Sequence, residues 1–219
     1  MHDPLTDVEA RVLGSLIEKE TTTPENYPLS LNALMNACNQ SSNRDPVAQY
    51  DEKTVGAAVE SLRKRALIRA VQQSGSRVMK YRHLVRESMN LDDRQAAVLG
   101  VLVLRGPQTL AELRTRASRL TGFESLEEVE AATNALTVRE GSSLVTRLPR
   151  RPGQKEARYA HLLSGEVTVD ESEAWPPPPP ASRTADAERI AALEEGLQEL
   201  RNEVADLRTQ LEAFRKQFE

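Results

Sequence analysis

A dense run of basic side chains stands out in the first half of the chain. Residues 61–86 contain eight Lys or Arg and no Asp or Glu. The eight are Arg63, Lys64, Arg65, Arg69, Arg77, Lys80, Arg82 and Arg86. Clustered cations neutralise backbone phosphates and release counterions, so this run indicates contact with DNA. The alternative is that these side chains only solvate a short exposed hairpin, and the sequence leaves both interpretations open.

The predicted nucleic-acid contacts combine this run with a neighbouring helix and a polar loop. They are Lys53, Thr54, Lys64, Arg69, Arg77, Lys80, Arg82 and Arg44. The first three lie on the outer face of the helix before the hairpin, because Val55, Val59 and Leu62 form its apolar stripe. Arg44 belongs to the polar loop 39–45, where it could pair internally with Asp45 or externally with phosphate.

Residues suited to catalysis or metal binding are sparse. The only histidines are His2, His83 and His161, and Cys38 is the only cysteine. His83 and His161 occupy matching positions, which favours shared packing over catalysis. The sequence has no metalloprotease helix, phosphate loop, nucleophile elbow or dinucleotide fingerprint. We therefore expect a non-enzymatic protein without cofactor or metal, and a core position for Cys38.

An internal repeat supplies the elements that position these residues. The segment from Leu5 to Gly14 returns between Leu91 and Gly100, and residues 80–85 return as 158–163. Each copy predicts three helices followed by a β-hairpin, which is the winged-helix order. The expected fold is mainly α with small β-hairpins (α+β), in two tandem winged-helix domains plus a C-terminal coiled-coil helix.

Capping signals mark the starts of the predicted helices. Thr6 with Glu9 forms a capping box in the first copy, and Ser30 and Asp51 are further N-caps. Three boxes are predicted in the second copy: Asp92 with Gln95, Thr109 with Glu112, and Ser125 with Glu128.

The third helices of the two copies differ in charge. The outer face in the second copy carries Glu127, Glu128 and Glu130, which would repel a DNA backbone. A glutamate can accept a hydrogen bond from cytosine, but three together favour a solvated or protein-facing surface. The sequence thus assigns DNA to the first copy, whereas the second copy would assist through its own basic wing or bind a protein partner.

The chain changes character after the second copy. Trp175 precedes five prolines, Pro176–Pro180, which predict a stiff polyproline II spacer. Apolar residues then alternate at steps of three and four, as in a coiled coil. The predicted homodimer seam is Ile190, Leu193, Leu197, Leu200, Val204, Leu207 and Leu211. A single amphipathic helix packed on its own domains is the alternative.

These patterns give four predicted regions. They are a first winged-helix domain at 1–86, a second at 87–164, an acidic and Pro-rich linker at 165–185, and a coiled-coil helix at 186–219. Residues 1–163 carry 23 Lys and Arg against 20 Asp and Glu, while residues 164–219 carry 6 against 13. We expect a cytoplasmic protein with no membrane segment, because no apolar stretch approaches the roughly 20 residues of a span and residues 1–4 do not resemble a signal peptide.

A specific motif in the first copy resembles that of a known family. It comprises Thr23-Pro24-Glu25-Asn26-Tyr27-Pro28, Ala37-Cys38-Asn39-Gln40 and Ser42-Asn43-Arg44-Asp45-Pro46. With Glu18-Lys19-Glu20, these residues make the chain similar to the YceH-like family of uncharacterised bacterial proteins, across roughly residues 4–164. The resemblance implies a tandem winged-helix fold and no established activity.

Two functions are consistent with these features. The first is duplex DNA binding through the basic wing of the first domain, as a regulator or nucleoid-associated factor. The alternative is a protein-interaction scaffold, similar in architecture to segregation and condensation protein B. Basic wings and a two-fold dimer favour DNA, whereas a pI near 5.6 and the acidic helix of the second copy favour the scaffold.

Overall fold

The protein folds as an α+β chain of seven α-helices and small antiparallel sheets, counted over the residues that the structure describes. The structure, a computed structural model, describes residues 3–72, 78–139, 143–150, 154 and 156–167. Most of the predicted linker and the whole predicted coiled coil lie outside these residues. None of the helices described is both long and apolar enough to cross a bilayer.

The first repeat contains three longer helices and a three-stranded sheet. Its elements are α1 (Asp7–Thr22), a 3-10 turn (Pro24–Asn26), β1 (Leu29–Ser30), α2 (Leu31–Cys38), α3 (Glu52–Lys64), β2 (Ile68–Gln72) and β3 (Met79–His83). The strands are antiparallel in the order β1-β3-β2. The short β1 strand was not among the predicted elements.

The second repeat follows the same order after a short connecting helix. The elements are α4 (Val85–Met89), α5 (Asp93–Arg105), α6 (Leu110–Ala117), α7 (Leu126–Thr137), β4 (Val145–Arg147) and β5 (Tyr159–His161). A single antiparallel bridge joins Gln108 to Tyr159. It matches the pairing of Leu29 with Tyr81 in the first repeat. The bridge is therefore the second repeat's counterpart of β1.

Most of the predicted helix caps are present. Capping boxes begin α1, α5 and α6, and side chains of Ser30 and Asp51 cap α2 and α3. Of the third capping box predicted in the second repeat, one hydrogen bond is present and the reciprocal one is not. Ser125 accepts from the Glu128 N–H, but the Glu128 carboxylate accepts from the Glu124 N–H instead of returning to Ser125.

Helices α1 and α5 cross closely at two equivalent glycines. A methyl group added at Gly14 would lie 2.9 Å from Val103 Cγ1, and one added at Gly100 would lie 2.9 Å from Ile17 Cγ2. Ile17 and Val103 are themselves equivalent in the repeat. Each helix thus places its valine or isoleucine against the other's glycine, as in the reciprocal contacts of a two-fold interface. Buried residues of both repeats form one hydrophobic cluster around this crossing.

The predicted boundary between residues 86 and 87 falls inside α4. Residues 3–167 of the described chain belong to one compact unit. Cys38 is fully buried in its core, and burial raises the pKa of its thiol.

Candidate nucleic-acid interface

Helix α3 presents the outward face that its sequence pattern predicts. Asp51 caps the helix by accepting from the Thr54 N–H at 2.7 Å. Hydrogen bonds from the Thr54 side chain and backbone lower the pKa of the Asp51 carboxyl. The stripe of Val55, Val59 and Leu62 is buried. As a result Lys53, Thr54 and Lys64 are exposed to solvent.

The sheet of the first repeat carries cations on its outer face. Arg69 lies directly opposite Arg82, and Lys80 lies opposite Val71. Because side chains alternate along a strand, these four share one face. Ile68 and His83 face the other way and are buried. Register and alternation therefore bring together three of the predicted contacts.

Carboxylates from outside the basic run neutralise part of it. Arg82 pairs with Glu87 at 2.7 Å, and Arg63 pairs with Glu60 at 2.8 Å. Arg65 lies 3.8 Å from Glu9, and Arg86 pairs with both Glu20 and Asp93. The sequence could not show this, because most of these acids come from other elements. Lys53, Lys64, Arg69 and Lys80 form no ion pair with any residue that the structure describes. Arg77 lies outside the described residues.

Arg44 is buried, so it is not part of the exposed basic surface. Its side chain is 0% exposed and contacts Glu18 at 2.6 Å. Its guanidinium also donates to the carbonyls of Ala37 and Asn43. Arg44 therefore forms an internal ion pair, as one of the two alternatives predicted, but its partner is Glu18 and not Asp45. Arg44 anchors the polar loop to α1, and the predicted contact between Arg44 and phosphate is wrong.

Glu18 lies in a polar cluster that the sequence patterns did not reveal. One carboxylate oxygen accepts from Arg44, and the other accepts from Arg119. Arg105, at the end of α5, donates to the Asn43 side chain next to Arg44. We call Glu18, Asn43, Arg44, Arg105 and Arg119 the junction cluster. Its members come from α1, the polar loop, α5 and the segment after α6. Separations of up to 101 residues hide it from local patterns.

His83 has a structural environment. Its Nδ1 accepts from the Val85 N–H at 3.3 Å, which leaves Nε2 to donate to Glu20 at 3.1 Å. The Tyr27 hydroxyl accepts from the His83 N–H. Burial on its own raises the pKa of Glu20, but His83 and Arg86 outweigh it and the net effect is a lowered pKa.

The equivalent His161 is only half-buried. Burial lowers the pKa of its imidazole below the ordinary value of 6.5. Within the described ranges, no three or more His, Cys, Asp or Glu side chains are grouped to hold a metal ion.

Helix α7 differs from α3 in the surface it presents. Glu127, Glu130 and Ala131 are exposed, while Glu128 is half-buried and pairs with Arg94 at 2.9 Å. An open groove of about 430 Å³ runs along this helix. Its lining is Asp92, Arg94, Gln95, Glu127, Glu128, Ala131, Ala132 and Ala135. Most of the lining residues are alanines or acids, and this lining does not suit a phosphate backbone.

Comparisons with known proteins identify the family. A family model described as "Protein of unknown function, DUF480" matches residues 5–154. A UPF0502 protein of Pelobacter propionicus is 53% identical over 217 residues, covering 98% of both chains. A UPF0502 protein of Geotalea daltonii is 52% identical, over 98% of both chains. A UPF0502 protein of Opitutus terrae is 50% identical, over 86% of this chain and 83% of its own. These matches agree with the YceH-like resemblance, and the chain belongs to the DUF480 family, to which it aligns across both repeats.

Proposed function

We propose that the chain is a non-enzymatic protein with two winged-helix repeats, of which the first binds duplex DNA. The observation that carries this proposal is the cationic outer face of β2 and β3, beside the exposed residues of α3. A winged helix places its third helix in the major groove and its hairpin against the backbone. Lys53, Thr54, Lys64, Arg69, Lys80 and Arg82 are the proposed contacts in the described residues, and Arg77, outside them, completes the proposed wing.

The cross-strand pairing of two arginines supports a ligand on this face. Like charges directly opposite each other destabilise a sheet. Arg82 has Glu87 as a partner, but Arg69 forms no ion pair with any residue in the part of the chain described here. A phosphate next to Arg69 and Lys80 would neutralise the two cations of this face that have no ion-pair partner among the described residues, and would form charge-assisted hydrogen bonds with them.

The glutamate on the proposed reading face is compatible with DNA. Glu60 is held by Arg63, which donates to both carboxylate oxygens at 2.8 and 2.9 Å. The pair presents no net charge to a neighbouring phosphate.

Charge reversal on the outer face of the sheet tests the proposal. We expect Arg69→Glu with Lys80→Glu to weaken binding of mixed genomic duplexes strongly, because two phosphate contacts are lost. Removing each contact should also lower the slope of log affinity against log salt by about 1. Fluorescence anisotropy of the full chain across a salt series measures both quantities.

Arg114→Glu is the control, since Arg114 is exposed on α6 of the second repeat and its side chain forms no ion pair with any described residue. It should leave DNA affinity nearly unchanged. Equal affinity and equal salt slope in the double variant and the wild type would reject the proposal. Failure of the wild type to bind at low salt would reject it as well.

A protein-interaction scaffold is the second candidate, and the acidic groove along α7 favours it. Ala131 and Ala135 leave room for a partner, and Glu127 and Asp92 would suit one with a basic surface. Replacing Ala131 with Arg should abolish stoichiometric capture of such a partner without changing DNA affinity. Capture by the wild type in the absence of any DNA binding would decide for the scaffold.

A further inference from the structure

The junction cluster contains more positive charge than its carboxylate neutralises. Glu18 divides its two oxygens between Arg44 and Arg119. The side chain of Arg105 contacts the neutral amide of Asn43 and no carboxylate among the described residues. The cluster thus contains three guanidinium groups and one carboxylate, which is an excess of two positive charges.

Neighbouring groups do not remove this excess. The exposed Asp45 forms no ion pair with these arginines in the described chain, and its N–H donates to the Leu104 carbonyl. Glu112 lies near Arg116 and Arg158, at 3.8 and 3.1 Å. Burial, followed by the charges of Arg116 and Arg119, lowers the pKa of Arg105. The surroundings of Arg105 therefore add repulsion.

The cluster has a buried part and an exposed part. Arg44 and Glu18 are 0% and 3% exposed, whereas Arg119 is 39% exposed and Arg105 is half-buried. Asn39, where the polar loop begins, exchanges two hydrogen bonds with Tyr50, each of 2.8 Å. Arg105 and Arg119 are thus held in place while remaining accessible to a small solute.

We propose that the junction cluster binds the phosphate group of a small phosphorylated ligand. A dianion matches the excess of two charges, and guanidinium groups bind phosphate oxygens through paired, charge-assisted hydrogen bonds. Arg105 and Arg119 contact the phosphate, while Glu18 and Arg44 position the surrounding structure. Because the site joins α1, α5 and the segment after α6, its ligand links the two repeats.

The proposed site is separate from the proposed DNA face and does not depend on it. Glu18 and Glu20 are two positions apart on α1, so they point about 200° apart around the helix. Glu18 faces the junction cluster, whereas Glu20 contacts His83 and Arg86 beside the sheet of the first repeat.

Titration calorimetry of the full chain with inorganic phosphate tests the site, with acetate at equal ionic strength for comparison. We expect saturable binding of phosphate and weaker binding of acetate. Arg119→Gln and Arg105→Gln should each raise the Kd for phosphate about tenfold through loss of a charge-assisted contact. Arg114→Gln is the matched control, because Arg114 is exposed on α6 and its side chain hydrogen-bonds only the Glu124 carbonyl, at 3.5 Å, among the described residues.

Several outcomes overturn the assignment. No saturable binding by the wild type, or wild-type affinity in both glutamine variants, contradicts the site. If DNA competes with phosphate and both variants lose DNA affinity, the cluster is a contact for the DNA backbone and the small-ligand assignment fails. Arg105→Lys keeps the positive charge but loses the paired N–H donors of the guanidinium group. It provides the measurement if Arg105→Gln does not fold. Its expected affinity lies between wild type and Arg119→Gln.

Discussion

At the residue scale, ion pairs and backbone carbonyls satisfy the buried charges of the described residues, and these contacts hold segments together. Arg44 satisfies its guanidinium with Glu18 and with backbone carbonyls of the polar loop. Arg11 is also buried and donates to the carbonyls of Cys38 and Pro46. Removing one member of a buried ion pair costs about 3–5 kcal/mol, because the other charge is left without a partner. Arg44 of the family motif is therefore structural, whereas Arg105, which lies outside the motif at the end of α5, is accessible.

Glu20 gives a prediction of acid sensitivity. Its carboxyl has a lowered pKa in the folded state, so its charge stabilises the fold at neutral pH. This stabilisation is lost as the pH falls below 4.5, the ordinary value, and through the lower folded pKa. We expect Glu20→Gln to reduce the free energy of unfolding by about 1–3 kcal/mol at pH 7, and by less in acid.

Chemical denaturation followed by far-UV circular dichroism, at pH 7 and at successively lower pH, measures the effect. Glu25→Gln is the control, since the exposed Glu25 accepts only from Asn26 among the described residues. A loss of stability in Glu20→Gln that is the same at every pH would contradict the assignment to the Glu20 charge.

At the scale of elements, the crossing of α1 and α5 joins the two repeats. The close approach requires the absence of a side chain at Gly14 and Gly100. Helical glycine costs about 1 kcal/mol relative to alanine. The tight packing between the helices offsets this cost.

Alanine at either crossing glycine should destabilise the protein. The new methyl group would meet Val103 or Ile17 at 2.9 Å, and β-branched side chains cannot easily turn away. Overpacking of this kind costs roughly 1–3 kcal/mol, partly offset by the better helix propensity of alanine. Thermal and chemical unfolding of Gly14→Ala and Gly100→Ala would measure the result.

Gly56→Ala provides an internal control on α3. The nearest atom to its added methyl group would be Leu31 Cδ2 at 3.7 Å, an ordinary contact. This variant should be as stable as the wild type or more stable. If all three alanine variants gain stability, the close packing of α1 and α5 is not a constraint.

At the scale of the whole molecule, charge is divided between a mildly basic repeat region and an acidic tail. The net charge of −4 hides this division. Long-range attraction to DNA would depend on the local field of the first repeat, since the acidic tail opposes it. A homodimer would present two such surfaces to one duplex and raise the effective concentration of the second.

Truncation after Ser182 tests the predicted dimer, whose seam lies outside the described residues. We expect the wild type to sediment as a dimer and the truncated chain as a monomer, because the heptad run supplies the apolar seam. The thermal unfolding of the repeats should change little. A truncated protein that still sediments as a dimer would contradict the coiled-coil prediction.

Local patterns in the sequence were enough for most of the elements of both repeats. Capping side chains, apolar stripes and the repeated segments predicted the helices and hairpins, because these features depend on neighbours within a few positions. The outward positions of Lys53, Thr54 and Lys64 also followed from the helical period. The two-residue β1 strand gave no such signal, since its hydrogen bonds go to residues about 50 positions away.

The sequence by itself determined the duplicated order of helices and strands, the apolar faces and the family. Only the tertiary structure decided which charges are free. It buried Arg44 against Glu18 and brought Arg105 and Arg119 together at the junction of the repeats. Hydrophobic period and capping are short-range properties, whereas the neutralisation of a charge depends on partners that folding brings from distant parts of the chain.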